Sequence, residues 1–171
     1  YVKEALVSEV KVMRMLNSRW IVALKDVLET ANNYYIVQEY CDGGTLRNYM
    51  VKNKQIPEKQ AVAILTQICE GFLELIKNGI IHRLLSGLSR DVKPENILIN
   101  NEDFKIADFG FAKNVGSIGQ LNKSLVGTPL YMAPQLLRME KYSTKCDIWA
   151  IGLIFYEMLL GEVPWPARSE F

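Results

Sequence analysis

The chain opens on a helical spacing of apolar positions. Leu6, Glu9, Met13 and Leu16 fall on one stripe of a helix predicted over residues 2–16. Glu9 is a carboxylate on that apolar stripe, an unusual place for one. Residues 21–28 and 34–39 are rich in β-branched and aromatic side chains, with Asn32-Asn33 between them as a turn signal, and predict a β-hairpin. Cys41-Asp42-Gly43-Gly44 breaks the pattern, and residues 46–52 read as a short helix. Pro57-Glu58 starts a long helix, with proline and an acid in its first turn. Ala61, Leu65, Ile68, Phe72 and Leu75 form its predicted buried stripe, and Asn78-Gly79 ends it. Residues 97–99 and 104–107 are two short strands around Asn100-Asn101, and residues 108–134 are irregular. A last helix has Ser143 as its N-cap and stops at Gly161. Its apolar stretch, residues 148–160, is too short for a membrane span and contains Glu157, so it reads as a buried core helix.

Composition narrows the class without naming a function. The 171 residues are 49% hydrophobic and 23% charged, which suits one globular domain with a core. Twenty basic against nineteen acidic residues leave a net charge of +1. That balance offers no basic surplus for nucleic acid or an anionic membrane. Cys41, Cys69 and Cys146 are odd in number, far apart and without metal-ligand spacing, so an intracellular, cytoplasmic setting is expected. The helical pattern already under way at Tyr1 and the loop-like residues 164–171 suggest a fragment.

The chemistry lies in two segments. Asp91-Val92-Lys93-Pro94-Glu95-Asn96 supplies a carboxylate, an ammonium and an amide, and Asp108-Phe109-Gly110 supplies a second carboxylate followed by glycine. Moving a phosphoryl group from a magnesium nucleotide to a hydroxyl needs these groups: a base or orienter, a cation for the phosphate, and two oxygen-donor metal ligands.

These segments resemble those of a eukaryotic-type serine/threonine protein kinase catalytic domain. Further motifs follow in the family's order: Ile80-Ile81-His82-Arg83, then Gly127-Thr128-Pro129-Leu130-Tyr131-Met132-Ala133-Pro134, then Asp147-Ile148-Trp149-Ala150-Ile151-Gly152. The activation-segment tail is loosely similar to Unc-51-like or calcium/calmodulin-kinase-like relatives. The resemblance implies an α+β, bilobal fold. Residues 1–39 would be a partial small lobe (helix plus hairpin), residues 40–44 the hinge, and residues 45–171 an incomplete, mainly helical large lobe. It implies ATP and magnesium as cofactors and a protein substrate with a serine or threonine acceptor. Asp91 would accept or orient the hydroxyl proton, Lys93 would neutralise the transferred phosphate, and Asn96 and Asp108 would hold magnesium. Glu39 and Cys41 would offer backbone groups to adenine, with Gln38 as gatekeeper and Leu98 beneath the ring. Glu9 would pair with a nucleotide-binding lysine. Lys93 and Thr128 favour serine/threonine over tyrosine. Ser124 stands where relatives carry an activating phosphate, added by another kinase, which would pair with the arginine beside the catalytic aspartate. His82 would be a packed spine residue.

The sequence departs from the family in three places. The glycine-rich loop and strand lysine would precede Glu9, and the chain begins at Tyr1, so these residues alone are expected to be inactive. Seven extra residues interrupt the catalytic loop: 84–90 if Arg83 is the loop arginine, 83–89 if Arg90 is. Gln135 replaces the glutamate usual after Ala-Pro, and a glutamine cannot form the ion pair that anchors that segment. The interruption leaves open a kinase-like scaffold or a non-functional truncated copy.

Overall fold

The computed structural model describes residues 10, 13–78, 92–107, 129–138 and 145–165. The predicted first helix is represented by helical backbone at Val10 and residues 13–15, and Val10, Met13 and Leu16 are buried. Strands β1 (Leu24–Glu29) and β2 (Tyr34–Gln38) form the expected antiparallel hairpin, in register from Glu29 opposite Tyr34 to Leu24 opposite Gln38. Its turn is closed by Thr30, whose amide donates to the Asn33 carbonyl and whose hydroxyl accepts from the Asn33 amide.

The first strand begins at Leu24, not at Ile21. Residues 20–22 instead run along a second hairpin. The Ile106 amide donates to the Trp20 carbonyl at 2.8 Å, and the Val22 amide donates to the Ile106 carbonyl at 3.0 Å. Ile21 and Val22 are only 1% and 3% exposed there. Burying that apolar pair outweighs extending the first ladder. Arg19 adds an exposed ion pair to Asp103 at 2.7 Å.

Helix α1 (Leu46–Asn53) is capped by Thr45, whose hydroxyl accepts from the Asn48 amide. Helix α2 (Glu58–Lys77) buries Ala61, Ile64, Ile68, Gly71, Phe72 and Leu75. Ile64 sits where Leu65 was expected, and Leu65 packs at the margin of the core. The 3-10 turn Pro94–Asn96 leads into the second antiparallel hairpin, β3 (Ile97–Asn100) and β4 (Asp103–Ile106). Ile97, Ile99, Phe104 and Ile106 face inward from it. A 3-10 turn (Pro129–Tyr131), the short helix α3 (Pro134–Leu137) and helix α4 (Lys145–Leu160) follow.

Helix α4 is two-sided rather than buried all round. Ala150, Ile151, Leu153, Ile154, Glu157 and Met158 are buried, whereas Ile148, Tyr156 and Leu160 are exposed. It stops at Gly161, whose φ of 80° favours glycine, and the Gly161 amide donates to the Glu157 carbonyl. One core cluster joins α1, α2, the second hairpin and α4. Among the described residues, no helix is long and apolar enough to cross a membrane. The architecture is that of a partial bilobal α+β fold, with the second hairpin packed against α2 and bonded to residues 20–22 ahead of the first hairpin.

Candidate nucleotide and phosphoryl-transfer site

The second hairpin organises the site from both of its ends. At the first, Lys93 is extended and its carbonyl accepts from the Asn96 amide at 3.0 Å. Pro94 is fully buried, which fixes the turn that carries Lys93 and Asn96. The Asn96 carbonyl accepts from the Ala107 amide at 2.9 Å. The Asn96 main chain is thus joined to the residue that immediately precedes Asp108 in the sequence.

Segment 39–44 follows β2 and is fastened to β3. The Gly43 amide donates to the Ile99 carbonyl at 2.9 Å, and the Ile99 amide donates to the Gly44 carbonyl at 2.9 Å. A Cβ on Gly43 would lie 2.8 Å from the Ile99 side chain and carbonyl, so only glycine allows this approach. Gln38 is exposed, Cys41 is half-buried, and Leu98 is half-buried on β3. Burial and the nearby Glu39 carboxylate push the Cys41 thiol up, so it stays protonated. Among the described residues, neither the Glu39 carbonyl nor the Cys41 amide has a backbone partner.

Two charged side chains meet here, those of Glu39 and Lys105, and neither is assigned a role of its own from the sequence. The Glu39 carboxylate accepts from Lys105 Nζ at 2.6 Å, Asn100 Nδ2 at 2.8 Å and the Ala23 amide at 3.2 Å. Burial alone would raise its pKa, but the hydrogen bonds from Lys105, the Ala23 amide and Asn100 hold it below the usual carboxylate value.

A second polar cluster lies below the 94–96 turn. Arg47 on α1 donates to Glu95 at 2.8 Å and to Glu157 on α4 at 2.6 Å. Tyr131 makes short hydrogen bonds with Arg47 and Glu157. Burial alone would lower the Arg47 pKa, but the bonds to Glu157 and Glu95 raise it, so the guanidinium stays charged. Burial and the Glu157 bond push the Tyr131 hydroxyl up, so it stays protonated. The one sequence signal for this cluster was Glu157, a carboxylate inside an apolar helix.

Of the expected site residues, the structure describes Gln38, Glu39, Cys41, Lys93, Asn96 and Leu98. Glu9, Arg83, Arg90, Asp91, Asp108, Ser124 and Thr128 lie outside the described residues, as does the interruption before Asp91. Gln135 is described and is exposed on α3.

The model of the protein kinase domain family matches residues 2–170. The chain is 37% identical to serine/threonine-protein kinase ATG1c of Arabidopsis thaliana, over 98% of this chain and 22% of that protein. It is 39% identical to serine/threonine-protein kinase ULK1 of Homo sapiens, over 94% of this chain and 16% of that protein, which bears out the Unc-51-like resemblance. It is 34% identical to serine/threonine-protein kinase cds1 of Schizosaccharomyces pombe, over 95% of this chain and 35% of that protein. The chain spans 22% and 23% of the lengths of two ATG1 relatives. Its named relatives include these serine/threonine-protein kinases, and the chain belongs to the protein kinase domain family.

Proposed function

We propose that the domain transfers the γ-phosphoryl group of magnesium-bound ATP to serine or threonine hydroxyls of a protein substrate. The observation that carries this reading is the 2.9 Å bond between the Asn96 carbonyl and the Ala107 amide. It sets Ala107, the residue before Asp108 in the sequence, against Asn96, which supports reading Asn96 and Asp108 as two ligands of one metal. Their side chains, an amide and a carboxylate, are hard oxygen donors of the kind magnesium takes. Magnesium, when bound, supplies charge neutralisation at the phosphate oxygens. Asp91 accepts or orients the hydroxyl proton, and Lys93 neutralises the moving phosphate. The Glu39 carbonyl and Cys41 amide receive adenine, behind Gln38 and above Leu98. Glu9 pairs with the lysine that holds the nucleotide phosphates.

A phosphate on Ser124, supplied by an activating kinase, pairs with Arg83 or Arg90 and orders the segment that carries Thr128. The three free cysteines suit a reducing cytoplasm. One sequence feature favours a second reading, a kinase-like scaffold: the seven-residue interruption directly before Asp91. A displacement of about 1 Å in a catalytic group can cost on the order of a hundredfold in rate.

The test is phosphate transfer from ATP to serine and threonine peptides by the full-length protein and its Asp91→Asn variant. Wild type should transfer phosphate, and the variant should be slower by about a thousandfold, a general-base loss. Equal rates refute the assignment of Asp91. A wild-type protein that binds nucleotide without transferring phosphate supports the scaffold.

A further inference from the structure

The β1–β2 ladder ends in an unusual way. In an antiparallel hydrogen-bonded pair, facing residues exchange both N–H···O=C bonds. Continued one step beyond Leu24 and Gln38, the register sets Ala23 opposite Glu39. The Glu39 amide donates to the Ala23 carbonyl at 2.8 Å. The return bond does not reach the Glu39 carbonyl, because the Ala23 amide donates to Glu39 Oε2 at 3.2 Å. The side chain stands in for its own main-chain carbonyl. Among the described residues that carbonyl is left without a backbone partner.

Two donors from the other hairpin keep the carboxylate there. Lys105 Nζ and Asn100 Nδ2 both donate to Oε1, at 2.6 and 2.8 Å. Lys105 lies opposite Leu98 in the β3–β4 register, and Asn100 lies two residues beyond Leu98, so all three share one face. The Lys105 and Glu39 side chains are only 10% and 15% exposed. An ion pair this dry is sustained by matched hydrogen bonds, and here both carboxylate oxygens are engaged.

We propose that the Glu39 carboxylate, clamped by Lys105 and Asn100, is a positioning device that occupies the Ala23 amide and so keeps the Glu39 carbonyl free for the 6-amino group of adenine. The inference rests on the nucleotide-binding reading above and adds the side chains that keep its acceptor available. Without the carboxylate, the Ala23 amide and Glu39 carbonyl would close one more ladder bond. A nucleotide would then have to break that bond to bind.

The test compares dissociation constants for magnesium-ATP and magnesium-ITP in the full-length protein and in Glu39→Ala and Lys105→Met variants. Inosine has an oxo acceptor where adenine has its amino donor, so a free Glu39 carbonyl discriminates against it. Wild type should prefer ATP, and the preference should fall about tenfold in each variant, the scale of one hydrogen bond. Loss through general loosening would weaken both nucleotides alike and leave the ratio unchanged, which overturns the proposal. Thermal melting checks that the variants fold. If neither does, Asn100→Ala, which spares the ion pair, decides: a reduced ratio supports the device and an unchanged ratio overturns it. A wild type that binds neither nucleotide overturns the nucleotide reading and the device with it, whereas one that binds both equally overturns the device alone. A wild type that prefers ATP, with variants of equal preference, overturns the device alone.

Discussion

Glu39 carries its charge in a site where burial opposes it, and Lys105, the Ala23 amide and Asn100 reverse the balance. Its folded pKa lies below the ordinary value, so the stabilisation it gives is complete well above 4.5 and is lost as pH falls through the folded value. Glu39→Gln should therefore be less stable at neutral pH, by about 2 kcal/mol for a weakened buried ion pair. The gap to wild type should narrow in acid, as the wild-type carboxylate takes up its proton. Denaturant unfolding at several pH values measures this, and a pH-independent gap contradicts it. The Glu39 main chain was marked from the sequence as part of the nucleotide site, but the role of its side chain was not legible there. Strand alternation puts Lys105 on the face opposite Phe104 and Ile106, which reads as solvent. That face meets Glu39, a residue 66 positions away, and only the packing of the two hairpins reveals it.

At the scale of elements, segment 39–44 depends on its contact with β3. Backbone bonds hold Gly43 and Gly44 to Ile99, and Gly43 packs against Ile99 with no room for a Cβ. Gly43→Ala must push the segment off the strand, at a cost of about 1–3 kcal/mol, typical of overpacking. Thermal unfolding should show a clear fall in melting temperature, and an unchanged value would mean that the contact is not tight. The elements themselves were largely legible, because each has a strong period or cap. Helix α2 follows its apolar repeat, and α1 starts at a threonine cap. The start of β1 was not legible. Residues 21–28 look like one apolar run, and the split comes from Ile106, whose amide and carbonyl take up residues 20–22.

Across the whole molecule, Arg47 joins pieces that are far apart in the chain. It ties α1 to Glu95 in the 94–96 turn, to Tyr131 and to Glu157 on α4. The Glu157 side chain is 11% exposed, so removing its cation leaves a buried carboxylate without its ion-pair partner. Arg47→Met should destabilise by about 3 kcal/mol. Glu157→Gln in the same chain should recover part of that loss, since neighbouring sites are not additive. Denaturant unfolding of the single and double variants checks both, and purely additive losses would argue against the coupling. In the sequence Glu157 stands out only as a break in an apolar run, since its partner lies 110 residues earlier. The chemistry proposed for the site is read in the opposite way. Lys93 and Asn96 stood out by type and order, and the fold supplies the Asn96–Ala107 link toward Asp108.

The central claim is phosphoryl transfer to serine or threonine. Its most direct measurement is incorporation of labelled γ-phosphate from ATP by the full-length protein, followed by identification of the modified amino acid. Phosphoserine or phosphothreonine is predicted, formed about a thousandfold more slowly in Asp91→Asn. Phosphotyrosine alone, or undiminished label in the Asp91→Asn protein, would contradict it.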